Sequence, residues 1–204
     1  MHLLHTETIV SSSLTITTTQ ISKCMFDKDA FSNGQIASKI WLCQELERLE
    51  WDSELTHIYA GWHGLTAFLL LSREKFRVNR IESYDIDPRC ESIADAINEN
   101  WVFNNWQFKA YTADCNQMSA GEADLVINTA VEHFDSMQWF DNIPNGTAVI
   151  LQGNNMPHDQ HVVNFDSLDS FVNTFKLHKV IYKGSKEFIY PNLKFTRYMV
   201  IGLK

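Results

Sequence analysis

Short apolar runs typical of buried strands alternate with helical patterns through the middle of this chain. The run THIYA at 56–60 is followed by a helical pattern over 65–76, and RIESYDI at 80–86 is followed by another over 90–101. Because strands that alternate with helices usually pair in parallel, this order predicts one sheet with helices on both faces. Three further strands are predicted at 106–114, 123–129 and 146–152.

The two ends of the chain depart from this alternation. The runs at 177–185 and 194–204 are strand-like, and the connection KEFIYPN between them has no helical period, so we predict an antiparallel hairpin. The predicted fold is therefore α/β, a doubly wound, mostly parallel seven-stranded sheet with a C-terminal antiparallel hairpin and helices on both faces. Residues 1–30 are predicted to form an N-terminal arm and residues 31–204 a single domain. A helix over 34–50, capped by Ser32 or Asn33, precedes the first core strand.

Charge and composition exclude several classes of protein. A formal net charge of -8 with no basic run opposes binding to a phosphate backbone. The four cysteines are scattered without a CxxC pair, which is typical of reduced thiols and indicates neither a disulfide framework nor a zinc site. No apolar run reaches the ~18 residues of a membrane span. We expect a cytoplasmic protein with no nucleic-acid or membrane partner, and the N-terminal arm is a candidate homodimer contact.

A glycine turn, AGWHG, follows the first core strand and leads directly into a helix. Gly61 can take a φ angle that other residues resist, and Gly64 can let a ligand or a strand approach the start of the helix. The spacing G-x-x-G is only half of a nucleotide-binding fingerprint. Two interpretations stay open from the turn alone: a cofactor loop, or a tight passage from strand to helix.

A carboxylate stands at the tip of the second predicted strand, in SYDIDP. Asp85 lies about 20 residues after the glycine turn, the spacing at which an acidic side chain accepts hydrogen bonds from ribose hydroxyls. Asp87 and Pro88 are better explained as the N-cap and first residue of the next helix than as ligand contacts.

The order of these features resembles class I S-adenosylmethionine-dependent methyltransferases over about residues 56–204. The antiparallel last strand agrees, because the sheet of this family ends in one. The resemblance implies a Rossmann-like domain over residues 31–204 with S-adenosylmethionine as cofactor, Asp85 as the ribose carboxylate, Ile86 beside the adenine and Asp114 near the adenine amino group. The implied cofactor-binding residues are Gly61, Trp62, His63, Gly64, Asp85, Ile86, Asp114, Cys115 and Asn128.

The glycine turn departs from the family pattern in one respect. The usual loop is acidic-x-Gly-x-Gly, whereas Tyr59 or Ala60 occupies the acidic position here. We therefore expect the amino group of the cofactor to be bound by Asn128, or by side chains of the segment FSNGQIASK such as Ser32 and Gln35.

The loops after the fourth and fifth strands carry the candidate catalytic and substrate-binding residues. Asn128, Glu132 and His133 are predicted to be catalytic, since Glu132 and His133 offer a base near the methyl group of the cofactor. Taken singly, Glu132 and His133 are at least as well explained as solvated loop residues. In LQGNNMPHDQH, the residues Asn154, Asn155 and His158 are predicted to bind substrate, and an ordinary polar loop is an equal alternative. A metal site in this loop is a weaker interpretation of HDQH, and no metal is predicted.

Arg197 falls on the last predicted strand, where an exposed side chain is expected unless it pairs with a substrate carboxylate. We predict an S-adenosylmethionine-dependent methyltransferase acting on a small molecule. Two alternatives remain: an enzyme that uses the same cofactor for aminocarboxypropyl transfer or cyclisation and releases methylthioadenosine, and a non-catalytic binding protein with the same fold.

Overall fold

The structure is a computed structural model that describes residues 26–75 and 77–204. Residues 1–25 of the predicted N-terminal arm lie outside the described residues. The seven strands are β1 (Ser53–Tyr59), β2 (Val78–Asp85), β3 (Phe108–Thr112), β4 (Leu125–Asn128), β5 (Ala148–Asn154), β6 (Lys179–Tyr190) and β7 (Leu193–Leu203). The helices are α1 (Asn33–Arg48), α2 (Leu65–Leu71), α3 (Pro88–Ile97), α4 (Glu99–Phe103), α5 (Gln138–Asp141) and α6 (Leu168–Phe175).

All seven strands form one sheet in the order β3-β2-β1-β4-β5-β7-β6. Strands β1 to β5 pair in parallel, and β7 pairs antiparallel with both β5 and β6. The strand order reverses at β1, which has β2 on one side and β4 on the other. The predicted parallel sheet and its antiparallel C-terminal hairpin are confirmed, and the reversal places the ligand-binding crevice of such folds at the carboxyl ends of β1 and β4.

Helices cover both faces of the sheet, each over its own apolar layer. On one face α1, α2 and α3 pack on strand residues that include Ile58, Ile127 and Ile150. On the other face α5 and α6 contribute Trp139 and Phe171 to an aromatic layer. Among the described residues no helix is both long and apolar enough to cross a membrane.

One predicted helix is shorter than the sequence indicates, and another is divided in two. The helix predicted over 65–76 ends at Leu71, where the hydroxyl of Ser72 donates to a carbonyl oxygen of the preceding turn. The helical pattern over 90–101 is interrupted at Asn98, whose side-chain amide donates to the carbonyl oxygens of Ala94 (2.9 Å) and Gly64 (3.2 Å). Side chains that bond the backbone in this way compete with the helical hydrogen bonds, so short polar residues end helices that apolar periodicity would continue.

The C-terminal hairpin is longer than predicted. Most of KEFIYPN belongs to β6, and the chain reverses within two residues because Tyr190 pairs directly with Leu193. Phe188 stacks on its cross-strand partner Phe195, with ring centroids 5.2 Å apart. This aromatic pair stabilises the strands in a region that we predicted as a connection.

Candidate functional site

A cavity of about 560 Å³ opens at the carboxyl edge of β1, β2 and β4. Six residues that the sequence predicted for the site line it: Trp62, Asp85, Ile86, Asp114, Cys115 and His133. A larger cleft of about 820 Å³ lies at the opposite edge of the sheet, around Gly146 and Lys204. Because ligands of open α/β sheets bind at the carboxyl ends of the strands, the smaller cavity is the candidate site.

The glycine turn is held by packing against β2 and α3. A Cβ atom on Gly61 would stand 1.9 Å from the hydroxyl oxygen of Ser83, and one on Gly64 would stand 2.5 Å from the side-chain nitrogen of Asn98. Gly64 has a positive φ of 76°, but Gly61 does not, so the expected role of Gly61 as a residue of unusual φ is wrong. The left-handed conformation falls instead on Ala60 and Trp62, with φ of 49° and 50°.

Asp85 ties this turn to the next helix. One carboxylate oxygen accepts the backbone N–H of Trp62 at 2.9 Å, and the other accepts the backbone N–H of Asp87 at 3.0 Å. Asp87 caps α3 ahead of Pro88, as predicted, and its side-chain hydrogen bonds with Arg89 lower the pKa of its carboxyl to about 2. Asp85 is therefore fixed in position at the cavity wall.

Asp114 and Cys115 form the wall of the cavity beyond β3. The Asp114 carboxylate accepts the backbone N–H of Asn116 at 2.9 Å and caps a single 3-10 turn over Cys115–Gln117. Burial raises the pKa of the Cys115 thiol to about 12. A thiol that holds its proton so firmly is a poor nucleophile, so Cys115 contributes shape rather than covalent chemistry.

Negative charge and exposed apolar surface together characterise the cavity. Its lining contains Asp27, Asp85, Asp87, Asp114 and Asp135. Among the described lining residues the one guanidinium belongs to Arg89, and it is paired with Asp87 at 2.5 Å. Ile86 and Val162 also line the cavity and are 70% and 57% exposed. Such a site repels phosphate groups, attracts a cation and offers two apolar side chains to a flat ring.

His63 lies behind the glycine turn and does not line this cavity. It is 3% exposed, its ring stacks on Phe26, and its Nε2 accepts the backbone N–H of Asp27 at 3.1 Å. Burial lowers the pKa of His63, which agrees with a neutral ring that accepts this bond. His63 thereby holds the segment before α1 against the glycine turn and brings Asp27 to the cavity.

Two buried polar groups at the centre of the carboxyl edge have no protein partner among the described residues. The hydroxyl of Tyr59 is one, and the side-chain nitrogen of Asn128 is the other. These residues are direct partners in the pairing of β1 with β4, and both are fully buried. Burial raises the pKa of Tyr59, so its hydroxyl stays protonated. Unpaired polar groups are costly in a protein interior, and a ligand that bonds them would offset the cost.

The predicted substrate residues after β5 are mostly occupied by protein contacts. Asn154 is buried, and its amide donates to the carboxylate of Glu132. The side-chain oxygen of Asn155 accepts the backbone N–H of Thr196 at 2.7 Å. His158 is exposed and accepts the backbone N–H of Gln160 at 3.2 Å. The substrate roles of Asn154, Asn155 and His158 stay predictions.

Two buried cations, Lys39 on α1 and Arg197 on β7, interact with Glu132 electrostatically but lie beyond ion-pair distance of its carboxylate. Arg197 is only 5% exposed, contrary to the expectation for a strand arginine, and it donates to the carbonyl oxygen of Thr129 at 3.2 Å. Lys39 donates to the side chain of Gln35 at 2.7 Å. Burial, and secondly the charge of Arg197, lowers the pKa of Lys39 to about 7. Glu132, Lys39 and Arg197 therefore form a buried charged cluster that extends from the loop after β4 to β7.

No family model and no curated protein sequence matches the chain. Solved structures do match it. The N-methyltransferase NodS from Bradyrhizobium japonicum, in complex with S-adenosyl-L-homocysteine, superposes with a TM-score of 0.66 over 90% of this chain and 96% of its own, at 13% sequence identity. The chain has the fold of class I S-adenosylmethionine-dependent methyltransferases.

Other structures with this methyltransferase fold match over similar lengths. Magnesium protoporphyrin IX methyltransferase from Synechocystis, with bound S-adenosylmethionine, has a TM-score of 0.62 and 11% identity over 90% of both chains. A putative RNA methyltransferase from Pyrococcus horikoshii has a TM-score of 0.54 and 12% identity over 85% of both chains. At such low sequence identities the similarity establishes the methyltransferase fold alone. The substrates named for those proteins are not thereby substrates of this chain.

Sequence reasoning missed three features of the site. Asp27 precedes the first helix and reaches the cavity only through the contact of its backbone with His63. Lys39 and Arg197 meet only because α1 packs across the far half of the sheet, and no local pattern signals that contact. The spacing of polar residues at strand ends identified Asp85 and Asp114 in the cavity wall.

Proposed function

We propose that the protein is an S-adenosylmethionine-dependent methyltransferase that acts on a small molecule. The observation that carries the proposal is the cavity at the reversal of strand order, with five aspartates and one already paired guanidinium in its wall. Dinucleotide cofactors carry a pyrophosphate, which this wall would repel, whereas S-adenosylmethionine carries a sulfonium cation and no phosphate.

The proposed cofactor contacts follow the cavity wall. Asp85 would accept hydrogen bonds from the ribose hydroxyls, since each of its oxygens keeps capacity beyond the single backbone N–H that it accepts. Ile86 would lie against the adenine, and Asp114 near the adenine amino group. Tyr59 and Asn128 do not line the cavity themselves, but they lie close in the chain to the lining residues Ala60 and Ala130. Because Tyr59 and Asn128 have polar atoms without a partner among the described residues, we propose that they hold the methionine portion of the cofactor.

Methyl transfer needs an acceptor atom held in line with the methyl group and the sulfur. Positioning of this kind can contribute about 7–11 kcal/mol to lowering a barrier, so a strong base is not always required. Asn128, Glu132 and His133 follow β4 and are the proposed residues at the reacting end. A small acceptor is supported by the volume of about 560 Å³ and by the net charge of -8, which disfavours nucleic acid.

Calorimetric titration with S-adenosylmethionine tests the cofactor. We expect the wild type to bind and Asp85→Asn to bind about 10- to 100-fold more weakly, because charge-assisted hydrogen bonds contribute about 1.5–3 kcal/mol. Asp124→Asn is the matched control. Asp124 also accepts backbone N–H groups, from Glu54 and Leu55, but it precedes β4 and so lies at the opposite edge of the sheet.

The control separates loss of binding from loss of fold. Equal binding by wild type and Asp85→Asn would overturn the assignment of Asp85, and no binding by a folded wild type would overturn the proposed function. The reaction is tested by incubating the protein with S-adenosylmethionine and a low-molecular-weight extract. Adenosylhomocysteine as product supports methyl transfer, whereas methylthioadenosine would indicate the aminocarboxypropyl or cyclisation reaction.

A further inference from the structure

Three potential metal ligands converge beside the cavity from two separate loops. Glu132 and His133 belong to a 3-10 turn, Val131–His133, that follows β4, and His161 belongs to the loop after β5. One ligand atom from each of the three side chains lies within 4.8 Å of the other two. Nε2 of His161 lies 4.0 Å from Oε1 of Glu132.

The two histidines are held in the orientation that metal-binding histidines adopt. Nδ1 of His133 lies 3.1 Å from the carbonyl oxygen of Gln160, and Nδ1 of His161 lies 2.8 Å from that of Met156. Because a carbonyl oxygen only accepts, Nδ1 carries the proton in each neutral ring and Nε2 has the free electron pair. Metal-bound histidines almost always donate their second N–H to a carbonyl or carboxylate in this way.

The carboxylate of Glu132 has no cation to balance it at close range. The residue is 2% exposed, and its Oε2 has no hydrogen-bond partner in the described part of the chain. Within residues 26–75 and 77–204, no lysine or arginine nitrogen is found within 4.0 Å of its oxygens, so Arg197 and Lys39 act on it only from a distance. The other oxygen of Glu132, Oε1, accepts the neutral side-chain amide of Asn154, so the buried charge has no ion partner at contact distance in the described residues. Burial of an unpaired charge is costly, and a bound cation would offset that cost.

Backbone contacts fix the two loops against each other before any cation binds. The carbonyl oxygen of Glu132 accepts the N–H groups of Val162 at 2.9 Å and Val163 at 3.2 Å. These bonds clamp the loop that carries His161 onto the turn that carries Glu132 and His133. The ligands therefore need only small side-chain movements, and little chain entropy is lost on binding.

We propose that Glu132, His133 and His161 bind one divalent first-row transition cation. Two imidazoles and a carboxylate form a common catalytic zinc set, in which Zn–N and Zn–O distances are about 2.0–2.2 Å. Ligand atoms around a tetrahedral zinc then stand about 3.4 Å apart. The present separations of 4.0 Å and at most 4.8 Å would contract by roughly 1 Å, within the reach of side-chain rotation.

The position of the proposed metal site beside the cavity suits a role for the cation in binding the acceptor substrate. Of the three proposed ligands, His133 lines the cavity, as do the neighbouring residues Gln160 and Val162, so a cation held by the three side chains would lie at the cavity wall. A cation there would bind an acceptor through oxygen and ease the loss of its proton. This last step rests on the proposed function, and it assigns Glu132 and His133 as ligands instead of a general base.

Titration of the metal-free protein with Zn²⁺ in the absence of S-adenosylmethionine tests the site. Calorimetry should show one equivalent bound to the wild type. Glu132→Gln and His161→Asn should each weaken Zn²⁺ binding by more than ~100-fold, beyond the 10- to 100-fold typical of changes outside the ligand shell. His158→Asn is the matched control, because His158 lies beside the group but its Nδ1 accepts the N–H of Gln160. Exposed His178 provides a remote control as His178→Asn.

Cobalt provides a second measurement that does not depend on activity. Co²⁺ added to the wild type should give visible absorption bands that His161→Asn lacks and His158→Asn keeps. Circular dichroism establishes that each variant is folded, and His161→Asn carries the test if Glu132→Gln does not fold. Equal Zn²⁺ affinity of wild type and His161→Asn would overturn the proposed site. Binding of S-adenosylmethionine without Zn²⁺ binding would overturn this site alone, whereas the converse would overturn only the proposed function.

Discussion

Replacement of Gly61 by alanine should destabilise the protein through β2, independently of any ligand. The added Cβ would stand 1.9 Å from the hydroxyl oxygen of Ser83 and 3.3 Å from its Cβ. Carbon atoms in contact are normally about 3.5–4.0 Å apart, so the turn or the strand must move. Ser83 is only 3% exposed and lies within β2, which leaves little room for that movement.

The expected cost follows from other overpacked cores. Extra methyl groups in a well-packed interior cost about 1–3 kcal/mol. Each kcal/mol lowers the melting temperature by about 2–4 °C in a domain of this size. The assay is urea denaturation of four proteins: wild type, Gly61→Ala, Ser83→Ala and the double variant. Removal of the Ser83 hydroxyl leaves the 3.3 Å contact with Cβ of residue 83 and an ordinary 3.6 Å contact with Ile58, so the double variant should recover most of the lost free energy of unfolding.

The result distinguishes the two interpretations of the glycine turn. A coupling free energy of about 1 kcal/mol or more between the two positions would establish that Gly61 is needed for packing on β2. Equal urea midpoints for wild type and Gly61→Ala would refute this reasoning. If Gly61→Ala were then stable but bound S-adenosylmethionine poorly, the glycine would be needed for the ligand instead.

Two further predictions concern buried polar groups. Tyr59→Phe removes a buried hydroxyl that has no partner among the described residues. The free energy of unfolding should therefore stay the same or rise by up to about 1–2 kcal/mol. A lower urea midpoint than that of the wild type would contradict this expectation. For Lys39, burial lowers the pKa to about 7 from 10.5, so the unfolded chain binds more protons between these values. Below pH 7, Lys39→Met should therefore have a higher free energy of unfolding than the wild type. The difference in free energy between the two proteins should shrink as the pH rises from 7 towards 10.5. If that difference did not vary with pH, Lys39 would not be desolvated in the folded protein.

Local patterns predicted the sheet and part of the cavity wall. Alternating strands and helices determine the parallel order, and because parallel strands end at one edge, Asp85 and Asp114 could be placed together without coordinates. The hairpin followed from strand-like runs, although the Phe188–Phe195 pair extended it beyond the predicted limits. These features depend on the chain within about 20 residues of each position.

The remaining features depend on contacts between distant segments. Arg197 is buried because α1 and the loop after β4 cover β7, and Asp27 reaches the cavity because His63 accepts its backbone N–H. The convergence of His161 with Glu132 requires the clamp between two loops that are 29 residues apart in the chain. Neither hydrophobic periodicity nor residue spacing indicates such tertiary contacts. For this reason the sequence pattern predicted an exposed side chain for Arg197.

The placement of positive φ angles has a consequence for recognising related chains. Ala60 and Trp62 adopt the left-handed conformation that glycine usually supplies, at about 1 kcal/mol or more each. The surrounding structure enforces it, through the bond from the Trp62 N–H to Asp85 and the bond from the Gly61 N–H to the carbonyl oxygen of Tyr84. A sequence motif based on the number of glycines would therefore fail to detect chains in which other residues occupy these left-handed positions. A more selective pattern would require a glycine opposite a small residue of the second strand, and an acid at the tip of that strand.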